Sequence, residues 1–304
     1  RSLGLAIALI ALIQTGPLAA EEKERDDGGI LGGQTPAGSN DDWAFVDNGH
    51  LRLGVKKTSG GGIAWFSESG GENLVNHWDH GRLIQQSYYG AEDGSFWNKK
   101  PWRWNPVQGG DWKGKAAKLL ELKVVDRALY TKTLPKHWAS GEDLHETLME
   151  QWITLKENVA HVRFKITYTG TKSHPERHHE IPAVFMDSKY EHLVLYDGDA
   201  PWSGGTLHRS VPGWPNESRK ISENWAAYVD ESGEGMGVYV PIAKTLTCYR
   251  FGKTGQRGAC SYFAPLTRFA FVPGTEFEYN LYLTLGTIEE IRERFKAIAG
   301  SADK

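Results

Sequence analysis

From Trp43 onward the chain alternates apolar and polar residues with a period of two, in short runs cut off by Gly, Pro, Ser or Asn. Leu51, Leu53 and Val55 alternate with Arg52, Gly54 and Lys56, and Val162, Phe164, Ile166 and Tyr168 alternate with His161, Arg163, Lys165 and Thr167. The pattern returns over residues 277–285. Successive side chains of a strand point to opposite faces, so this alternation marks strands with one buried face. Runs this short and frequent predict an all-β fold, most simply two packed antiparallel sheets. No repeat of fixed period is present, which argues against a propeller or solenoid. The exception is residues 287–299, where Thr287 and Glu290 make a capping box and Ile288, Ile291, Phe295 and Ile298 recur at helical spacing. That pattern predicts one short C-terminal helix packed on the sandwich.

The 304 residues exceed a typical domain, but sandwiches of roughly 200–250 residues fold as one unit. Residues 43–304 are therefore read as a single β-sandwich domain. Residues 21–42 are charged, then rich in Gly and Pro, a composition that buries too little to order itself, and they read as a flexible leader. Residues 1–20 open with Arg1, continue through an apolar run and end in Ala19 and Ala20, the pattern of a signal peptide. The apolar run falls well short of the roughly 20 residues that a spanning helix needs. A secreted protein, extracellular or periplasmic, with no membrane attachment after signal removal is expected. The net charge of -3 supplies no basic field for nucleic acid or anionic lipid. Export permits disulfides, and Cys248 and Cys260 sit in two strand-like runs joined by a Gly-rich turn, so a bridge across a hairpin is expected, with two buried thiols as the alternative.

Three segments carry more polar and aromatic side chains than a core needs. Residues 76–90 include His80, Arg82, Gln86 and Tyr88; as a strand, Arg82, Ile84, Gln86 and Tyr88 share one face and Leu83, Gln85, Ser87 and Tyr89 the other. Either face suits sugar hydroxyls. Residues 102–114 form a loop in which Trp104 offers a flat apolar face and Gln108 and Asp111 offer hydrogen bonds. Residues 174–187 place His178, His179 and Glu180 at the mouth of a buried strand, with His178 and Glu180 on one side and His179 on the other. A carboxyl entering a buried strand is desolvated, which raises its pKa and fits it for general acid work; a neutral His nearby can act as base or orient it. Asp197 and Asp199, beside Trp202, could ligate Ca²⁺ but lack an EF-hand loop, and a turn is the simpler reading; no other cofactor is implied.

The strands of residues 51–89, leading into Asp79-His80-Gly81-Arg82-Leu83-Ile84-Gln85-Gln86-Ser87-Tyr88-Tyr89, resemble the start of galactose-mutarotase-like sandwich (supersandwich) proteins. The resemblance extends over residues 43–286 in strand organisation and implies carbohydrate without choosing a reaction. It transfers no catalytic residue, because the His-Pro-Tyr-Phe-Asn type of pattern is absent. The leading expectation is a glycoside hydrolase acting on a polysaccharide or oligosaccharide. Glu180 and Asp111 would be its carboxyl pair, assisted by His179, and His80, Arg82, Gln86, Tyr88, Trp104, Gln108, His178 and Trp202 would hold the sugar. The alternatives are a polysaccharide lyase with His179 or Tyr88 as base, and a non-catalytic carbohydrate-binding protein.

Overall fold

The computed structural model describes residues 40–302. The expected signal peptide and most of the leader lie outside the described residues; the leader's last three, Asn40–Asp42, form a 3-10 turn running into the first strand. A ten-stranded sheet runs in the order β1 (Trp43–Asp47), β2 (Leu51–Lys56), β3 (Gly62–Glu68), β4 (Ile84–Ser87), β13 (His174–Met186), β20 (Cys260–Phe271), β19 (Thr245–Phe251) and β16 (Glu217–Lys220). Beside β4 lie β7 (Pro106–Val107) and then β10 (Lys136–His137). The nine-stranded sheet runs β15 (His208–Ser210), β14 (His192–Leu195), β17 (Trp225–Val229), β18 (Glu234–Tyr239), β21 (Glu276–Thr287), β12 (Val159–Tyr168), β11 (Thr147–Lys156), β9 (Ala128–Leu134) and β8 (Lys118–Val125). A separate hairpin pairs β5 (Glu92–Trp97) with β6 (Lys100–Arg103). All paired strands are antiparallel, and the fold is the expected two-sheet sandwich.

The alternation read from the sequence is the burial pattern of β12, in which every second residue from Ala160 to Tyr168 is buried. Those side chains meet Val55, Phe66, Ile84, Val184, Val238, Leu281 and Leu283 in one core between the sheets. Burying each such side chain contributes roughly 1.5–3 kcal/mol. On the far side of the nine-stranded sheet, α1 (Ile288–Ala302) sets Ile291 and Phe295 against Val194, Trp225, Val229 and Tyr239. Its capping box forms as expected: the Thr287 amide donates to Glu290 Oε2 at 3.0 Å, and the Glu290 amide donates to Thr287 Oγ1 at 3.4 Å. Gly237 of β18 permits the close approach, because a Cβ there would lie 2.4 Å from Ile291. Among the described residues no helix is long and apolar enough to cross a membrane.

The expected disulfide is corrected. Cys248 and Cys260 are both free and buried. Cys248 pairs with Phe263 and Cys260 with Phe251 across β19 and β20. Cys248 enters the intersheet core, whereas Cys260 joins the outer cluster of Ala183, Phe185, Tyr249 and Tyr262. The two thiols lie on opposite faces of one sheet and cannot meet. Desolvation pushes Cys248 up to about 12 and raises Cys260 as well.

Candidate functional site

The central strand β13 contains Pro182, which cannot donate to a ladder. Pairing breaks there. Glu180 pairs with Ser87 on β4 and Leu266 on β20, and regular pairing resumes at Ala183 with Gln85 and at Val184 with Phe263. Both neighbours show one extra residue on β13, a β-bulge. The bulge resets the parity of the strand: His179, Ile181, Val184 and Met186 face inward, while Glu180, Ala183 and Phe185 share the outer face.

That outer face forms the floor of a cleft of about 130 Å³. Glu180 lies in it between Ser87 and Tyr89 on one side and Tyr262 and Tyr249 on the other. Its Oε1 accepts hydrogen bonds from the Tyr89 hydroxyl at 2.9 Å and the Tyr262 hydroxyl at 2.7 Å. Burial raises the Glu180 pKa, and hydrogen bonds from Tyr262, Tyr89 and Ser87 pull it back only in part. Burial also raises both tyrosines well above their ordinary value, and the Glu180 charge adds to this, so both remain hydroxyl donors. A second carboxyl, Asp79, lines the cleft. Its Oδ1 accepts the amides of Gly81 and Arg82 at 2.8 and 2.9 Å, and its Oδ2 lies 3.6 Å from Arg82 Nε. The Arg82 guanidinium also donates to the Gly258 carbonyl and lies 5.8 Å from the Phe251 ring.

Two aromatic groups wall the cleft. Trp97 and Trp102, carried by the β5–β6 hairpin, pack with Trp112 and Trp138 near β7 and β10. Trp214 packs edge-on against Tyr249 at 4.8 Å and near Phe251 at 5.6 Å. The hairpin is tied down by a 2.7 Å bond between His137 Nε2 and Asp93, and by Trp102 Nε1 donating to Asn105 at 3.1 Å. The arrangement offers a desolvated carboxyl whose pKa is raised by burial, an ionic Asp79–Arg82 pair, and flat apolar surfaces on both sides.

Of the expected site residues, the structure brings Glu180 and Arg82 into this cleft. The structure places the others outside it. Asp111 is 2% exposed and does not line the cleft; its Oδ1 accepts the amides of Lys113 and Lys115 at 2.9 and 2.7 Å, closing a turn that presents Trp112. His179 is buried in the core, where its Nδ1 accepts the Tyr89 amide at 3.1 Å and its Nε2–H donates to the Phe269 carbonyl at 3.0 Å. Desolvation lowers its pKa to about 4, so it is a neutral core histidine. Gln86 and Tyr88 face inward: the Tyr88 hydroxyl donates to Gln86 Oε1, and Gln86 Nε2 reaches the Glu150 carbonyl of the other sheet. Gln108 accepts the Gln86 amide in the same buried seam. Trp104 stacks on His174 at 4.3 Å within the core and donates to Glu146. His80 braces the Gly114 loop and Ser59. His178 is exposed and does not line the cleft, and Trp202 packs into the cluster under α1. Asp197 pairs with His208 and Asp199 with Lys220, so the two carboxylates have separate partners.

Tyr89, Gln85 and Ser87 occupy the strand face opposite to the one chosen from the sequence. Tyr249 and Tyr262 flank the two cysteines, and only their shared outward parity in a hairpin could have marked them.

No protein-family model matches the sequence, and a search of curated proteins finds no match. Solved structures do match. A galactose mutarotase-like protein from Lactobacillus casei superposes with a TM-score of 0.55 at 10% identity, over 80% of this chain and 100% of its own. A galactose mutarotase related enzyme from Lactobacillus acidophilus gives 0.52 at 10%, over 81% and 97%. A galactose mutarotase-like protein from Clostridium acetobutylicum gives 0.50 at 8%, over 82% and 100%. The chain has the galactose-mutarotase-like supersandwich fold, as the resemblance implied; at these identities the likeness extends to the fold alone.

Proposed function

We propose that the protein is a secreted carbohydrate-active enzyme that hydrolyses glycosidic bonds in this cleft, with Glu180 as general acid. The observation that carries the reading is a single carboxyl held between two tyrosine hydroxyls on an aromatic-walled floor, its pKa raised by burial. Aromatic faces suit the C–H side of a pyranose ring, and the polar groups between them suit its hydroxyls. Protonated Glu180 donates its proton to the glycosidic oxygen. Asp79, the other carboxyl lining the cleft, takes a proton from water as that water attacks the anomeric carbon. The bond to the leaving oxygen breaks, that oxygen departs as a hydroxyl, and a proton returns from Asp79 to Glu180 through solvent. The fold likeness to galactose mutarotase-like proteins supports a sugar substrate.

The lyase alternative has less support. Its two candidate bases, His179 and Tyr88, are both in the intersheet core. Burial and the Glu180 charge raise the pKa of the cleft's own Tyr89 and Tyr262, which disfavours the phenolate that proton abstraction from a sugar would need.

The test is incubation of the protein with neutral and uronic polysaccharides, following reducing ends together with unsaturated-uronate absorbance. Reducing ends without absorbance, lost in Glu180→Gln and in Asp79→Asn, are expected. Absorbance rising with reducing ends would replace hydrolysis by elimination. Silence on every substrate would favour a binding protein.

A further inference from the structure

Resting on the sugar-handling reading, we infer that the cleft takes a glycan of several linked residues, seated on both sides of Glu180, and is not a monosaccharide pocket. Trp102, Trp112 and Trp138 form one wall beside β10 and β7; Trp214, Tyr249 and Phe251 form the other beside β19. The two walls belong to separate apolar clusters, and Glu180 on β13 lies between them.

The strand order from β10 through β7, β4, β13 and β20 to β19 sets five strand-to-strand steps between the walls, about 24 Å at backbone level for a spacing of ~4.8 Å. Inward-leaning side chains narrow this: Trp138 reaches Gly81, where an added Cβ would lie 2.6 Å from its ring. The two walls stand on opposite sides of Glu180 along the strand order, so a single pyranose stacked on one wall leaves the other uncovered. A chain crossing the strands covers both, with one unit on the tryptophan wall, a scissile linkage over Glu180 and another unit on the Trp214 wall. Trp214 is 38% exposed, so its ring retains open surface for such a unit.

The experiment is titration of the catalytically silenced Glu180→Gln protein by calorimetry. The probes are β-1,4-linked gluco-, xylo- and manno-oligosaccharides from monosaccharide to hexasaccharide. In at least one series, affinity is expected to rise about tenfold or more from monosaccharide to trisaccharide. Adding Trp214→Ala or Trp138→Ala shrinks that gain to under about threefold in each case. Circular dichroism and thermal melting check each fold, and Trp112→Ala replaces Trp138→Ala if the latter does not fold. A monosaccharide bound as tightly as the trisaccharide, or a gain lost in the variants of one wall only, overturns the inference and leaves the sugar-handling reading standing. Absence of binding at every length, with no hydrolysis by wild type, overturns both.

Discussion

Because burial raises the Glu180 pKa, the folded protein holds that proton more tightly than the unfolded chain does. The associated stability is fully present below the unfolded carboxyl value of about 4.3 and is lost as pH rises through the raised folded value. Glu180→Gln keeps an acceptor for Tyr89 and Tyr262 and carries no charge. Its urea midpoint should match wild type in acid and exceed it at alkaline pH; equal midpoints at both would mean that Glu180 is not desolvated. His179 works in the other direction. Its folded pKa of about 4 lies below an unfolded value of about 6.5, so its contribution is complete above the unfolded value and is lost as pH falls toward the folded one. The loss amounts to about 3 kcal/mol. Unfolding free energies measured across that window should fall more gently in His179→Gln than in wild type, and parallel slopes would contradict the assignment.

At the scale of elements, the β13 bulge decides the site, because without its extra residue Pro182 and Val184 would take the outward positions of Ala183 and Phe185. Such a bulge left no mark in the sequence except Pro182. The strand at residues 82–89 was equally ambiguous: both faces carry polar groups, and the inward ones satisfy each other across the sheets while the outward ones meet the cleft. Two tests belong at this level. Helix α1 is anchored by Arg292, which donates to the fully buried Glu223 at 2.6 and 3.0 Å. Removing one partner of a buried ion pair leaves the other charge uncompensated, so Arg292→Ala should cost about 3–5 kcal/mol in chemical denaturation. A change below about 1 kcal/mol would mean that the pair is solvated. For the β19–β20 hairpin, both thiols should resist an aqueous thiol reagent in the native protein and both should react after unfolding without reductant. A chain that yields no thiol after unfolding would restore the disulfide.

For the whole molecule, the strands were legible because one face of each is buried against a single core, which β12 shows most plainly, and α1 was legible because its capping box is local. The site was less so. Glu180 was readable as a carboxyl entering a buried strand, a local fact. Asp79, Tyr89, Tyr249, Tyr262 and the tryptophan wall converge only through strand order and the packing of the β5–β6 hairpin, which depend on contacts far apart in sequence. The proposed role of protonated Glu180 as the acid of this cleft belongs to the same scale. The pH dependence of reducing-end release, on the most readily cleaved substrate, tests it most directly. An alkaline limb set above the ordinary glutamate value, where Glu180 loses its proton, is expected, with no activity at any pH in Glu180→Gln; a Glu180→Gln protein that retains wild-type rates and the same limb would rule out that role.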